Sequence, residues 1–213
     1  MKTVAIIPIK KNSERVKNKN FKIINGKPLY RYLVDKLVKC NFDEIYLDSD
    51  SKEIKEYCRK NNLKFIPRLK RLSANNANGN DLLNYHLKLI NADYFFQLFV
   101  TAPMLKVETI NNCIKILKEN KKHDSILTVR SLFTWFWHKK KPINYNPKVL
   151  PRSQDCVPIV QETTGLYGIT KKSLKKQKSR IGIKPFFYEV SQKEALDIDE
   201  QSDIDLLKFY LKK

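Results

Sequence analysis

The stretch Lys2-Thr3-Val4-Ala5-Ile6-Ile7-Pro8 is continuously apolar in its middle. A strand half open to water alternates instead, so this one is expected to lie in a parallel sheet covered on both faces. Residues 28–40 then place Leu29, Leu33 and Leu37 four apart with Val34 and Val38 beside them, the stripe of an amphipathic helix. A short strand at 44–47 runs into Asp48-Ser49-Asp50-Ser51, where Asp50 and Glu53 have capping-box spacing for a helix through Arg59. The alternation continues with a strand at 64–67, a polar loop at 73–80 and a helix carrying Leu83, Leu87 and Ile90. An apolar strand at 94–100, a helix with Ile110, Ile114 and Leu117 and a strand at 125–129 follow. Strand alternating with helix predicts an α/β fold, a Rossmann-like, mostly parallel sheet with helices on both faces.

Residues 131–160 break this rhythm with Phe133-Thr134-Trp135-Phe136-Trp137 and no clean period. Such a segment is either a lid over a substrate or an arm packed on a partner subunit. The pattern resumes at 165–169 and 186–190 and closes with a helix from Gln201 carrying Ile204, Leu207 and Leu211. With 213 residues, one unit spanning 1–213 is expected, with 131–160 as its insertion.

The bulk numbers exclude more than they assign. No stretch approaches the roughly 18 apolar residues of a membrane span, and the opening lacks a signal peptide's h-region, so no membrane partner and a cytoplasmic location are expected. Cys40, Cys58, Cys113 and Cys156, like His86, His123 and His138, are scattered without metal-site spacing. The formal charge of +20 marks either a nucleic-acid binder or a lysine-rich surface around an anionic-substrate site. Its even spread along the chain favours the second.

In a parallel sheet ligands bind beyond the carboxyl ends of the strands. The loop after the first strand, Lys10 to Asn20, offers five cations, a hydroxyl at Ser13 and three amides; it is either a polyphosphate cradle or a solvated loop. Asp197-Ile198-Asp199 puts two carboxylates at i and i+2 on one side of an extended chain, suited to a hard divalent cation or, alternatively, to capping the next helix beside Ser202 and Asp203. Gln97 is a polar residue inside a buried strand ending at Thr101-Ala102-Pro103; it meets either a nucleobase edge or neighbouring backbone.

Taken in order, these pieces resemble the acylneuraminate cytidylyltransferase family over nearly the full length. Residues 7–20 follow the family's nucleotide loop with exceptions, Asn25-Gly26-Lys27-Pro28-Leu29 its N-G-K-P-L helix start, and Asp48-Ser49-Asp50 its S-T-D-S stretch. Residues 97–103 are similar to a stretched Q-P-T-S-P element, 151–155 and 162–167 to the segment ending the family's dimer arm, and Asp197-Ile198-Asp199 to its D-I-D metal motif. The resemblance implies that Lys10, Ser13, Lys19 and Asn20 hold CTP and that Gln97 and Thr101 line the sugar or ribose side. It also implies that Gln154 and Gly165 border the sugar pocket and that Asp197 and Asp199 bind Mg2+, with Lys19 and Asp199 catalytic. It further implies a homodimer built through a protruding arm. Lys10 stands where the family has Arg, losing the bidentate fork but keeping the charge. Glu14 replaces a basic residue, for which Arg15 is the nearest substitute, and Asn75 stands where Asp is usual.

The activity so implied joins CMP from CTP to the anomeric hydroxyl of a sialic-type nonulosonic acid and releases pyrophosphate. Two other readings stand beside it: a cytidylyltransferase for the eight-carbon sugar acid Kdo, and a basic nucleic-acid-binding protein. No RRM, helix-turn-helix or zinc-finger signature supports the last, and no nucleic-acid partner is expected.

Overall fold

The structure is a computed structural model that describes residues 1–13, 16–74 and 76–212. Strands β1 (Thr3–Ile9), β2 (Glu44–Ser49), β3 (Lys64–Pro67), β4 (Tyr94–Leu98), β5 (Ser125–Leu132), β6 (Ile159–Thr170) and β7 (Pro185–Glu189) form one sheet among the described residues. Their order is β7-β5-β6-β4-β1-β2-β3. All neighbours run parallel except β6, which is antiparallel to both β4 and β5. The mostly parallel α/β sheet is therefore as expected, with one reversal: the chain returns through β6 in the opposite sense, which the sequence pattern did not indicate.

Period-two geometry explains why β1 is apolar throughout. Ala5, Ile7 and Ile9 enter a core with α1 (Leu29–Leu37), α2 (Lys52–Lys60) and α4 (Val107–Glu119). Val4 and Ile6 enter the opposite core with α3 (Gly79–Leu89) and α5 (Lys171–Gln177). A third cluster joins Val16 of the long loop, Leu29, and Leu196 and Ile198 to Ile204 and Leu207 of α6 (Gln201–Leu211). It fastens the loop after β1 and the Asp197-Ile198-Asp199 segment to the same body.

Three local expectations are corrected. Helix α2 is N-capped by Ser51, not Asp50, because the Asp50 carboxylate instead accepts the Lys11 N–H at 2.8 Å. Strand β4 ends at Leu98, short of Val100, and the lysine-rich helix α5 falls where no helix was expected. Within the break in rhythm, Trp137–His138 pairs antiparallel with Lys141–Pro142, and Asn144 braces the turn through Thr134 O, Val157 O and Phe136 N–H. Phe133, Trp135 and Trp137 are exposed there. Among the described residues no helix is long and apolar enough to cross a membrane.

Candidate active site

The carboxyl ends of β1, β3 and β4 open on a cleft of about 350 Å³. Lys10, Asn12, Ser13, Lys19 and Asn20 line one side, Arg68, Ala77, Asn78 and Gly79 another, and Phe99 and Thr101 close it. The loop after β1 holds its shape internally: buried Asn20 donates its amide N–H to Lys10 O at 2.8 Å, and Lys19 N–H reaches Val16 O at 3.1 Å. Asn18 takes the left-handed conformation at φ 53°, a role its short side chain tolerates, and this starts the single 3-10 turn Lys19–Phe21.

That turn aims Lys19 at the far end of the chain. Its Nζ donates to Ile198 O at 2.5 Å and to Asp199 Oδ1 at 3.0 Å, with the side chain largely buried. Ile198 is buried in the core, so Asp197 and Asp199 share the other side of the chain, next to Lys19, which lines the cleft. Ile198 N–H donates to Thr101 O at 2.7 Å, tying this segment to the loop after β4. Asp197 Oδ2 accepts from Thr164 Oγ1 at 2.6 Å, while its Oδ1 is buried without a partner among the described residues.

Helix α6 does not use this pair as caps. Asp203 accepts the backbone N–H groups of both Asp199 and Glu200, at 2.8 and 2.7 Å, so the capping alternative for Asp197 and Asp199 loses its ground. Among the described residues no three His, Cys, Asp or Glu side chains converge as a metal cage. The pair nonetheless fits Mg2+: an orphaned carboxylate oxygen beside a second carboxylate is a hard donor set that leaves most of the coordination sphere to phosphate and water.

Other expected residues fall differently. Gln97 is fully buried behind the cleft wall, donating Nε2–H to Gly79 O at 3.0 Å, with Oε1 unpartnered. Gly165 packs against Ala102, where a Cβ would come within 3.0 Å, and it does not line the cleft. Gln154 is exposed in the turn Ser153–Asp155, away from the cleft lining. Arg15, Glu14 and Asn75 lie outside the described residues.

Sequence reasoning missed a buried network below the cleft. Asp48 Oδ1 accepts Arg68 Nε at 2.8 Å and Asp48 Oδ2 meets His86 Nε2 at 2.7 Å, all three side chains being nearly inaccessible. Arg68 directly follows β3, so a search of every loop after a strand reaches it. Thr164 was also missed: it sits in a bulge of β6 at φ 55°, and the bulge re-aims its hydroxyl at Asp197. Glu194, buried, accepts from Thr109 Oγ1 and Lys106 N–H and so anchors the segment leading to Asp197.

A family model described as Cytidylyltransferase matches residues 4–210. The chain belongs to the cytidylyltransferase family. It is 24% identical to the N-acylneuraminate cytidylyltransferase of Streptococcus agalactiae serotype V, over 95% of this chain and 52% of that protein. It is 25% identical to the pseudaminic acid cytidylyltransferase of Campylobacter jejuni subsp. jejuni serotype O:2, over 100% of this chain and 97% of that one. The chain thus spans about half the length of the N-acylneuraminate relatives it matches. Its fold is shared with a CMP:2-keto-3-deoxy-manno-octonic acid synthetase solved with CTP, at TM-score 0.73 and 15% identity, covering 100% of this chain and 99% of that one.

Proposed function

We propose that this protein transfers CMP from CTP to the anomeric hydroxyl of a sialic-type nonulosonic acid. The observation that carries the reading is the meeting of Lys19 with Asp199, beside the unpaired Asp197 oxygen, at the edge of a cleft lined by Lys10 and Ser13. In this reaction the anomeric oxygen forms a bond to the α-phosphorus, the bond from that phosphorus to the bridging oxygen breaks, and the hydroxyl proton is lost. Pyrophosphate leaves. Such a transfer depends on alignment and charge neutralisation more than on a covalent nucleophile.

Lys10 and Lys19 supply positive charge to the phosphates, Ser13 and the loop backbone supply donors, and Asn20 keeps the loop closed over them. Asp197 and Asp199 would hold Mg2+, which would polarise phosphate oxygens and acidify the attacking hydroxyl. Thr164 fixes one Asp197 oxygen and leaves the other for this use. Six of the seven relatives named for N-acylneuraminate or pseudaminic acid match 93–100% of the chain and the seventh 60%, beside one named for 3-deoxy-manno-octulosonate at 82%, a balance that supports the nine-carbon acids. The exposed aromatics of residues 133–137 support an arm that a second copy covers, making the working unit a homodimer.

The test is pyrophosphate release over all four nucleoside triphosphates and a panel of 2-keto sugar acids, with and without Mg2+. Turnover with CTP and a nine-carbon acid is expected. Turnover with Kdo alone would move the assignment to the eight-carbon acid, and none with any acid would refute the reading.

A further inference from the structure

The buried network below the cleft ends on the cleft itself. Both carboxylate oxygens of Asp48, on β2, are taken: Oδ1 accepts Arg68 Nε–H at 2.8 Å and Oδ2 accepts from His86 Nε2 at 2.7 Å. Arg68 also donates from Nη2 to the Asp48 carbonyl oxygen at 3.0 Å, and its backbone N–H donates to Ser49 O at 3.0 Å. Nε and Nη2 form one edge of the planar guanidinium, so β2 holds that edge and Nη1 is directed away from it. The Arg68 side chain is 3% exposed and lines the cleft. Nη1 has no protein partner among the described residues, and it is not one of their unpaired atoms sealed from solvent. It is therefore a donor that a molecule in the cleft can reach.

Asp48 and His86 are buried and do not line the cleft. A buried carboxylate is costly unless its charge is balanced and its oxygens are paired. The guanidinium balances the charge, and the imidazole satisfies the oxygen that the guanidinium leaves. His86 Nδ1, by contrast, is buried without a partner, which has its own cost. An apolar side chain would fill this place in α3 without that cost, so the distinct contribution of the imidazole is the bond from Nε2. On the side of Arg68 the cleft is lined by Leu72, Ala74, Ala77 and Leu82, while Lys10 and Lys19 line the other. An uncharged wall with one fixed donor suits a flat base with acceptors in its plane, and the lysine side suits phosphates.

We propose that Asp48 and His86 are positioning residues for CTP: acting through Arg68, they fix the direction of the guanidinium nitrogen offered to the base. This rests on the cytidylyltransferase reading and adds to it two residues that touch no substrate.

Calorimetric binding of CTP with Mg2+ would be measured for wild type, His86→Phe, His86→Gln and Asp48→Asn. Steady-state pyrophosphate release would be followed beside it, varying whichever of N-acetylneuraminate, pseudaminate or Kdo the wild type uses best. The expected result is CTP binding weakened about fivefold or more in His86→Phe and Asp48→Asn, with the sugar KM within about twofold. His86→Gln should stay within about twofold of wild type on both, because its amide carries an N–H to the same Asp48 oxygen. Lost packing alone would lower the active fraction without shifting the CTP Kd. Unchanged CTP binding in a folded His86→Phe or Asp48→Asn protein overturns the assignment while leaving the function standing. A sugar KM that rises equally, or a glutamine variant as weak as the phenylalanine one, does the same. If neither His86→Phe nor Asp48→Asn folds, the network serves the fold alone and the assignment falls. A wild type that binds no CTP overturns the functional reading, and this one with it.

Discussion

Lys19 and Asp199, separated by 180 positions, meet at 3.0 Å. The contact joins the nucleotide-side loop to the carboxylate pair, and its geometry depends on Ile198, whose burial puts both neighbouring side chains on the opposite side of the chain. Asp199→Asn keeps the shape and removes one negative charge. If the pair holds Mg2+, kcat is expected to fall by about 100-fold, roughly 2.7 kcal/mol of transition-state stabilisation. The melting temperature should hold, because α6 is capped by the Glu200–Asp203 capping box and not by the Asp199 side chain. Wild-type kcat across a Mg2+ titration would refute the metal assignment.

Two lysines of one loop should behave differently. Lys19 is largely buried and lines the cleft; Lys11 is exposed and is held through its backbone N–H to Asp50. Lys19→Ala is expected to raise the KM for CTP by about tenfold or more and to lower kcat, since its charge serves both bound triphosphate and departing pyrophosphate. Lys11→Ala should stay within about twofold on both. Equal, negligible effects would show that residues 10–20 are only a solvated loop.

In the sequence Lys19 stands apart from Lys11 only through the family-like loop pattern, which leaves position 11 variable; the structure adds that Lys19 is largely buried and Lys11 exposed. Searching the loops after strands singled out Asp197 and Thr101, and in the fold Ile198 N–H, next to Asp197, bonds to Thr101 O. What escaped depends on sheet order. Asp48, Arg68 and His86 are 20 and 38 positions apart, and nothing local shows that β2, β3 and α3 bring them together. Asp50 was misread as a cap because spacing does not reveal a competing partner, here the Lys11 N–H. The bulge that aims Thr164 depends on β6 running antiparallel, and that reversal leaves no periodic trace.

The arm should set the oligomeric state. Trp135 and Trp137 both pack on Tyr145, at 5.8 and 6.1 Å between centroids, yet stay 41% and 55% exposed, which is more apolar surface than a lone copy favours. Sedimentation at micromolar concentration is expected to give twice the chain mass for wild type, and a monomer for the doubly substituted Trp135→Ser, Trp137→Ser protein. A wild-type monomer with full activity would remove the arm's assigned role.

Asp35 on α1 gives a pH signature independent of the cleft. It accepts Lys27 Nζ at 2.6 Å, the Tyr57 hydroxyl at 2.7 Å and Arg31 Nη2 at 3.3 Å, tying the turn before α1 to α2. Burial pushes its carboxyl up, but Lys27, Tyr57 and Arg31 more than offset this, and the net value lies below the ordinary one. A depressed folded value means the stabilisation is fully present above the unfolded value, near 3.9, and is lost as pH falls through the folded one. Tyr57 limits the other side: burial, then Asp35, raise it to about 12, so its contribution is present below the unfolded value near 10 and fades as pH rises toward the folded one. Asp35→Asn is therefore expected to cost about 2 kcal/mol, roughly 5 °C in Tm, between about pH 5 and 9. The gap from wild type should narrow below about pH 4 and again above about pH 10. Thermal melts of both proteins across that range decide it: a gap that stays constant down to about pH 3 would mean Asp35 contributes through packing and not through its charge.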